Sequence, residues 1–273
     1  MPLAGPHLAD PPFADPKLLW SLFAPVLMGL PRVGAAIIVA PLFPTTLFPT
    51  LLRGTVTLSL ALYLYPHLAA NMPPMMSWVE WVGLIGKESF IGALLGFAAG
   101  TLIWAFETAG SLLDFQVGFS NSTYFDPFGG HEAGPLSQLW VRLGTVLFVA
   151  AGGLQVLAAL LFESFYLWPV TSFYPSLAHL EGFAAGSIRS FMDLVVRLAA
   201  PAVLLLALID FGFGLVSRVV PQLNVFFFTM PIKGALTAVM LALYLSFVSD
   251  IVVGRLADLG TWLQHLQPLL TGH

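Results

Sequence analysis

The sequence predicts an all-α membrane protein built from long, kinked helices and helical hairpins. Hydrophobic residues make up 58% of it and charged residues 9%, where a soluble domain carries about 45–50% and about 25%. The apolar residues also lie in uninterrupted runs instead of alternating with polar ones. About six runs approach the roughly 20 residues that cross about 30 Å of hydrocarbon.

Residues 1–17 are rich in proline and carry Asp10 and Asp15 before the first base, Lys17. That pattern suits an exposed leader and not a signal peptide with a basic start. The first apolar run extends from about Leu18 to Pro41, interrupted by Arg32, and the second from about Thr46 to Tyr65, interrupted by Arg53. The third covers Trp78 to Gly110, the fourth Pro135 to Phe165, the fifth Ile188 to Val219 and the sixth Val225 to Val253, with a tail over 257–273. Pro25, Pro31, Pro201 and Pro231 fall in these runs and are expected to kink or break them, because proline removes a backbone donor. Neighbouring groups must then satisfy what the proline frees.

Gly92, Gly96 and Gly100 recur every four residues in GALLGFAAG and lie on one helix face. Small residues at that spacing let a second backbone approach closely, either within the chain or at a subunit interface. Nine charges inside or at the ends of the runs need partners: Lys87, Glu88, Glu107, Arg142, Asp193, Arg197, Asp210, Arg218 and Lys233. Each costs about 2.5–3.5 kcal/mol at mid-bilayer. Arg189, Asp193 and Arg197 share a face and can pair with one another. Lys87 and Glu88 are adjacent, point in different directions and each require a partner elsewhere. A proton or ion pathway and plain interhelical or intersubunit pairing both fit such charges. The connecting loops hold almost no lysine or arginine, so the positive-inside rule leaves the topology open.

The connection SLLDFQVGFSNSTYFDPFGGHEAG, about 111–134, is long and aromatic. Loops beyond about 12–15 residues are functional or disordered, and aromatics argue against disorder. Phe115, Phe119, Tyr124, Phe125 and Phe128 supply bulk; Gly118, Gly129 and Gly130 supply hinges; Asp126 and Pro127 supply a turn. Such a loop fills a hole or packs its rings onto the helix ends.

Several classes fall away. A net charge of −4 gives no basic patch for nucleic acid. Without cysteine there is no disulfide, thiolate nucleophile or cysteine metal site. All six histidines lie in termini or connections, and no metal, phosphate-loop or serine-nucleophile motif occurs, so neither an enzyme nor a cofactor is expected.

Short motifs then point to a family. The block RVVPQLNVFFFTMPIK, Arg218 to Lys233, carries a base, a proline, an asparagine, an aromatic run and a second proline, with Pro221, Asn224 and Pro231 at the marked positions. LPR at 30–32, LYLYP at 62–66, IGKE at 85–88, WAFETAG at 104–110, FDP at 125–127 and WPVTSFYP at 168–175 support it. On these motifs the chain resembles the FliR/SctT family of type III export-apparatus membrane proteins. IGKE, WPVTSFYP and MPIK are more similar to the injectisome branch than to the flagellar one.

The resemblance implies a core subunit of an export gate in the bacterial inner membrane. Its partners would be P-family (FliP/SctR-like) and Q-family (FliQ/SctS-like) membrane subunits, with the U-family (FlhB/SctU-like) switch protein and the large export gate protein nearby. Secreted polypeptides would pass through the assembly. Residues 18–187 would form a P-like portion and 188–256 a Q-like hairpin. The segment from Phe115 to Phe128 would plug the pore. Alternative readings are a flagellar-branch gate subunit or a proton- or solute-coupled transporter.

Overall fold

The computed structural model describes residues 16–42, 49–70, 77–119, 134–172, 177–220 and 225–271. Among them every regular element is helical: α1 Pro16–Val39, α2 Thr50–Tyr63, α3 Tyr65–Ala70, α4 Trp78–Val117, α5 Pro135–Ala150, α6 Gly153–Leu167, α7 Leu177–Val219 and α8 Val225–Thr271. Two compact units divide the chain. The first takes Met1–Gly96 and Ser164–Pro175, and the second Phe97–Glu163 and Ser176–His273.

Among the described residues four helices are long and apolar enough to cross a membrane, or five spans result if the bent pair α5–α6 counts as one. The expectation of about six is therefore corrected at the second run. There α2 has 14 residues, about 21 Å at 1.5 Å per residue, which is short of the hydrocarbon thickness. Three helices outrun their expected bounds: α4 continues to Val117, α7 begins at Leu177, and α8 extends to Thr271, taking in most of the expected tail.

The prolines do not end helices. Helix α1 runs through Pro25 and Pro31, α7 through Pro201, and α8 through Pro231. Pro201 has no N–H to give Arg197, and the Tyr244 hydroxyl donates to that carbonyl instead at 2.9 Å. The sharp bend, 68°, lies between α5 and α6, where Gly152 takes φ +83°. A left-handed residue stops a helix outright, and glycine adopts it without a Cβ clash.

In the first unit, Ala24, Met28, Arg32, Ala36 and Ala40 are all fully buried or nearly so. Their four-residue spacing makes one face of α1, extended past its end by Ala40. A Cβ on Gly92 would overlap the Arg32 carbonyl, and one on Gly96 would lie 2.5 Å from the Ala36 carbonyl. The glycine stripe is thus an intrachain packing face against α1. Because 32 meets 92 and 36 meets 96, the two helices run in the same direction. Gly100 is also buried.

In the second unit, the later half of α4 packs against α5 in the opposite sense. A Cβ on Gly110 would lie 2.5 Å from the Ser137 Cα, and one on Gly144 would meet the Phe106 ring. The rings of Phe106 and Trp140, both buried, meet tilted at 47° with a 5.9 Å centroid distance. Helices α7 and α8 form a hairpin whose contacts, Asp210 with Lys233 and Arg197 with Tyr244, keep one register.

Candidate functional site: two clusters of charge and backbone carbonyl

The first unit holds a buried ionic cluster. Arg32 and Glu88 are both 0% exposed. The guanidinium donates through Nε to Glu88 Oε2 at 2.6 Å and through Nη2 to Oε1 at 3.1 Å, a bidentate pair. It also donates to Ser164 Oγ at 3.1 Å and to the Trp168 carbonyl at 2.8 Å, and its carbon lies 4.0 Å above the Phe165 ring. Lys87 completes the cluster. Its ammonium lies 2.9 Å from Glu88 Oε1 and donates to the carbonyls of Pro169, Val170 and Ser172.

The chemistry is that of a helix C-terminus. The carbonyls just beyond the end of α6 lack intrahelical donors, and two cations supply them. Glu88 finds Arg32 and Lys87 finds the carbonyls after α6, and the two neighbours also meet each other, which their expected divergence did not include. The long lysine side chain folds back onto its neighbour. Arg32, read in the sequence as an interruption of an apolar run and as part of LPR, is the centre of the cluster. Three motifs far apart in the chain, LPR, IGKE and WPVTSFYP, supply it.

The second unit holds the base of the aromatic connection. Helix α4 ends in a Schellman cap: Phe119 N–H donates to the Asp114 carbonyl at 2.9 Å, Gly118 N–H to the Phe115 carbonyl at 3.2 Å, and Gly118 takes φ +96°. Gly118 is therefore a fixed cap and not a free hinge. The Asp114 carboxylate reaches the other end of the connection, accepting from Leu136 N–H at 3.0 Å and Ser137 N–H at 2.8 Å at the start of α5. One residue thus fastens both ends of the segment 120–133. Asp114 is 3% exposed, and nothing in its sequence context singled it out.

The base rests on the α7–α8 hairpin. Lys233 donates to the Gln116 carbonyl at 2.9 Å and pairs with Asp210; the Gln116 amide donates to the Val203 carbonyl at 3.1 Å. A Cβ on Gly234 would lie 3.1 Å from the Phe119 ring, and one on Gly118 would lie 3.1 Å from Met230 Cε. Lys233, from the MPIK motif, is buried at 6% exposure.

Other expected site residues are placed less centrally. Phe115 is 76% exposed. Tyr124, Phe125, Asp126, Pro127 and Phe128, and likewise Pro221 and Asn224, lie outside the described residues. Of the nine charges, Glu88 and Lys233 are buried and the Lys87 side chain is 8% exposed. Glu107, Arg142, Asp193, Arg197, Asp210 and Arg218 are exposed on this chain by itself, which leaves open to them the interhelical or intersubunit pairing expected of such charges. An apolar run marks a helix long enough for a membrane, not which face of it turns inward. Asp193 and Arg197 do pair, at 2.7 Å. Glu107 contributes its backbone: its carbonyl accepts from Ser111 and Ser137 hydroxyls.

Long apolar helices with interior ion clusters and carbonyls supplied by side chains define a multi-pass membrane protein. The chain matches the bacterial export proteins, family 1, over residues 23–259, and belongs to that family, the FliR/SctT family of type III export apparatus. It is 34% identical to Yop proteins translocation protein T of Yersinia pestis, over 79% of this chain and 83% of that protein. Identity is 29% to the flagellar biosynthetic protein FliR of Bacillus subtilis, over 85% and 90%, and 28% to the surface presentation of antigens protein SpaR of Salmonella typhimurium, over 89% and 90%. The higher identity to the translocation protein favours the injectisome branch.

Proposed function

We propose that this component of a secretion export apparatus is a core subunit of the export gate in the bacterial inner membrane, and that its segment from Phe115 to Phe128 plugs the pore. P-family and Q-family subunits complete the channel, the U-family switch protein and the large export gate protein adjoin it, and unfolded polypeptides pass through. Residues 18–187 serve as the P-like portion and 188–256 as the Q-like hairpin, which the registered packing of α7 on α8 supports. The chain gates passively, without hydrolysing nucleotide or cutting peptide.

The observation that carries the plug is Asp114. A plug must hold its position at rest and yet yield to an incoming chain. Asp114 holds both ends of the connection, one through its backbone carbonyl and the other through its buried carboxylate, while the base rests on Lys233, Met230 and Gly234, and this supports a segment anchored at a defined place.

The test is ion leakage through the assembled gate carrying Phe119→Ala with Phe125→Ala. Raised resting conductance, with assembly unchanged, is the expected result. Wild-type conductance in a normally assembled gate removes the plug assignment.

A further inference from the structure

The later half of α4 is almost sealed by its own chain. From Phe97 to Val117 every residue is buried or partly buried except Glu107, Ser111, Leu112 and Phe115. Glu107, Ser111 and Phe115 are spaced four apart, so they form one narrow strip along the helix, with Leu112 at its edge. The strip leads to the base of the aromatic connection, which Phe115 and the neighbouring Asp114 begin.

Polarity sets this strip apart from the exposed face of α8 in the same unit. There Phe228, Ile232, Leu236, Val239, Leu243 and Phe247 share one face, and all six are apolar, as a surface turned to lipid or to an apolar partner requires. The strip on α4 instead carries a carboxylate and a hydroxyl. The Ser111 and Ser137 hydroxyls lie 3.2 Å apart, and both reach the Glu107 backbone carbonyl, at 2.9 and 3.1 Å. Among the described residues no ion pair takes up the Glu107 carboxylate, whereas the buried carboxylates of Glu88 and Asp114 are bonded within the chain. Arg142 on α5 is exposed too, but on a strip that is otherwise apolar, between Leu139 and Val146. A carboxylate in an apolar span needs either a partner's cation or water. The hydroxyl one turn away and the course of the strip toward the connection favour water.

We propose that the strip of Glu107, Ser111 and Phe115 lines the aqueous path of the exported polypeptide, and that the Glu107 carboxylate makes this path favour cations, the lysine and arginine side chains of the passing chain included. The inference rests on the reading of this chain as an export-gate subunit and adds the wall along which the substrate moves. A carboxylate beside a narrow path with low-dielectric walls concentrates cations there and depletes anions. Because the sequence has no cysteine, Ser111→Cys gives this chain a single thiol. In the assembled complex, with assembly followed by intact-complex mass spectrometry, that thiol is treated in turn with a cationic trimethylammonium-ethyl and an anionic sulfonato-ethyl methanethiosulfonate, and labelling is read as mass added to this chain. Ser111→Cys labels, and Leu243→Cys on the apolar face of α8 does not. Adding Glu107→Gln lowers the ratio of cationic to anionic labelling rates about ten-fold, the effect of one charge on probes of opposite sign one helical turn away. Carrying a benzophenone, the same thiol forms an adduct on illumination with a secreted polypeptide arrested in transit by a folded fusion. Glu107→Cys, treated alike, serves where Ser111→Cys does not assemble. An unlabelled thiol on the strip, equal labelling at Leu243→Cys, a rate ratio that Glu107→Gln leaves unchanged, or labelling without any adduct to the arrested polypeptide overturns the proposal. The plug reading fails on a different measurement, the conductance of the gate with Phe119→Ala and Phe125→Ala, so the two failures are distinguishable.

Discussion

The two ionic clusters use the same parts and differ in burial. In the first unit Arg32 and Glu88 are both fully buried. In the second, the side chain of Lys233 is 8% exposed but that of its partner Asp210 is 46% exposed. A bidentate pair closed off on every side is expensive to break, because either charge alone is left stranded in a low-dielectric interior. A pair with one partner half open can exchange that partner for water or for another chain at little cost. The first cluster is therefore a permanent staple of α1, α4 and the end of α6. The second is a fastening that can be released, and it holds the base of the aromatic connection.

Removing a partner from the closed cluster is the severest way to test this contrast. Arg32→Ala is expected to cost about 3–5 kcal/mol by stranding Glu88, read as loss of folded protein or a large drop in thermal stability in detergent. Arg32→Met with Glu88→Met is expected to recover much of it, since no uncompensated charge remains. If the single and double variants are equally damaged, packing and not charge dominates there.

At the open cluster, Lys233→Met is expected to cost about 1–2 kcal/mol, the scale of a hydrogen bond to a charged donor, because Asp210 rehydrates. Its larger effect falls on the connection: resting conductance of the assembled gate rises while folding is kept. A loss of stability matching that of Arg32→Ala would erase the distinction between the two clusters. Smallest of all is Arg197→Ala. Its pair with Asp193 is 61% and 54% exposed, and about 0–0.5 kcal/mol is expected in detergent, measured as a shift in melting temperature near zero.

The sequence foretold the long helices because apolar length is a local property, and the glycine stripe because its spacing is. It did not foretell how much of each helix is interior. The apolar stretch of α4 is 67% buried and that of α8 17%, yet both read as continuous hydrophobic runs, since lipid and protein interiors select the same residues. For the same reason nothing in the runs separates the charges that turn outward on this chain, Glu107, Arg142 and Arg218, from the buried Arg32, which is legible only as a break in a run and as part of LPR. Asp114 was hidden for another reason. Its role depends on two N–H groups at Leu136 and Ser137, more than twenty residues away, and no periodicity encodes a cap supplied from another helix. The prolines leave their helices unbroken, and at Pro201 the carbonyl it frees is satisfied at a distance, by Tyr244 on Arg197.

Asp114 also supplies the most direct test of the gate. In the assembled complex, ion conductance at rest is to be measured for Asp114→Ala beside wild type, with assembly followed by intact-complex mass spectrometry. Because the substitution frees the α5 end of the connection and leaves the helices packed, conductance should rise in a fully assembled gate. An assembled Asp114→Ala gate as tight as wild type would contradict the account.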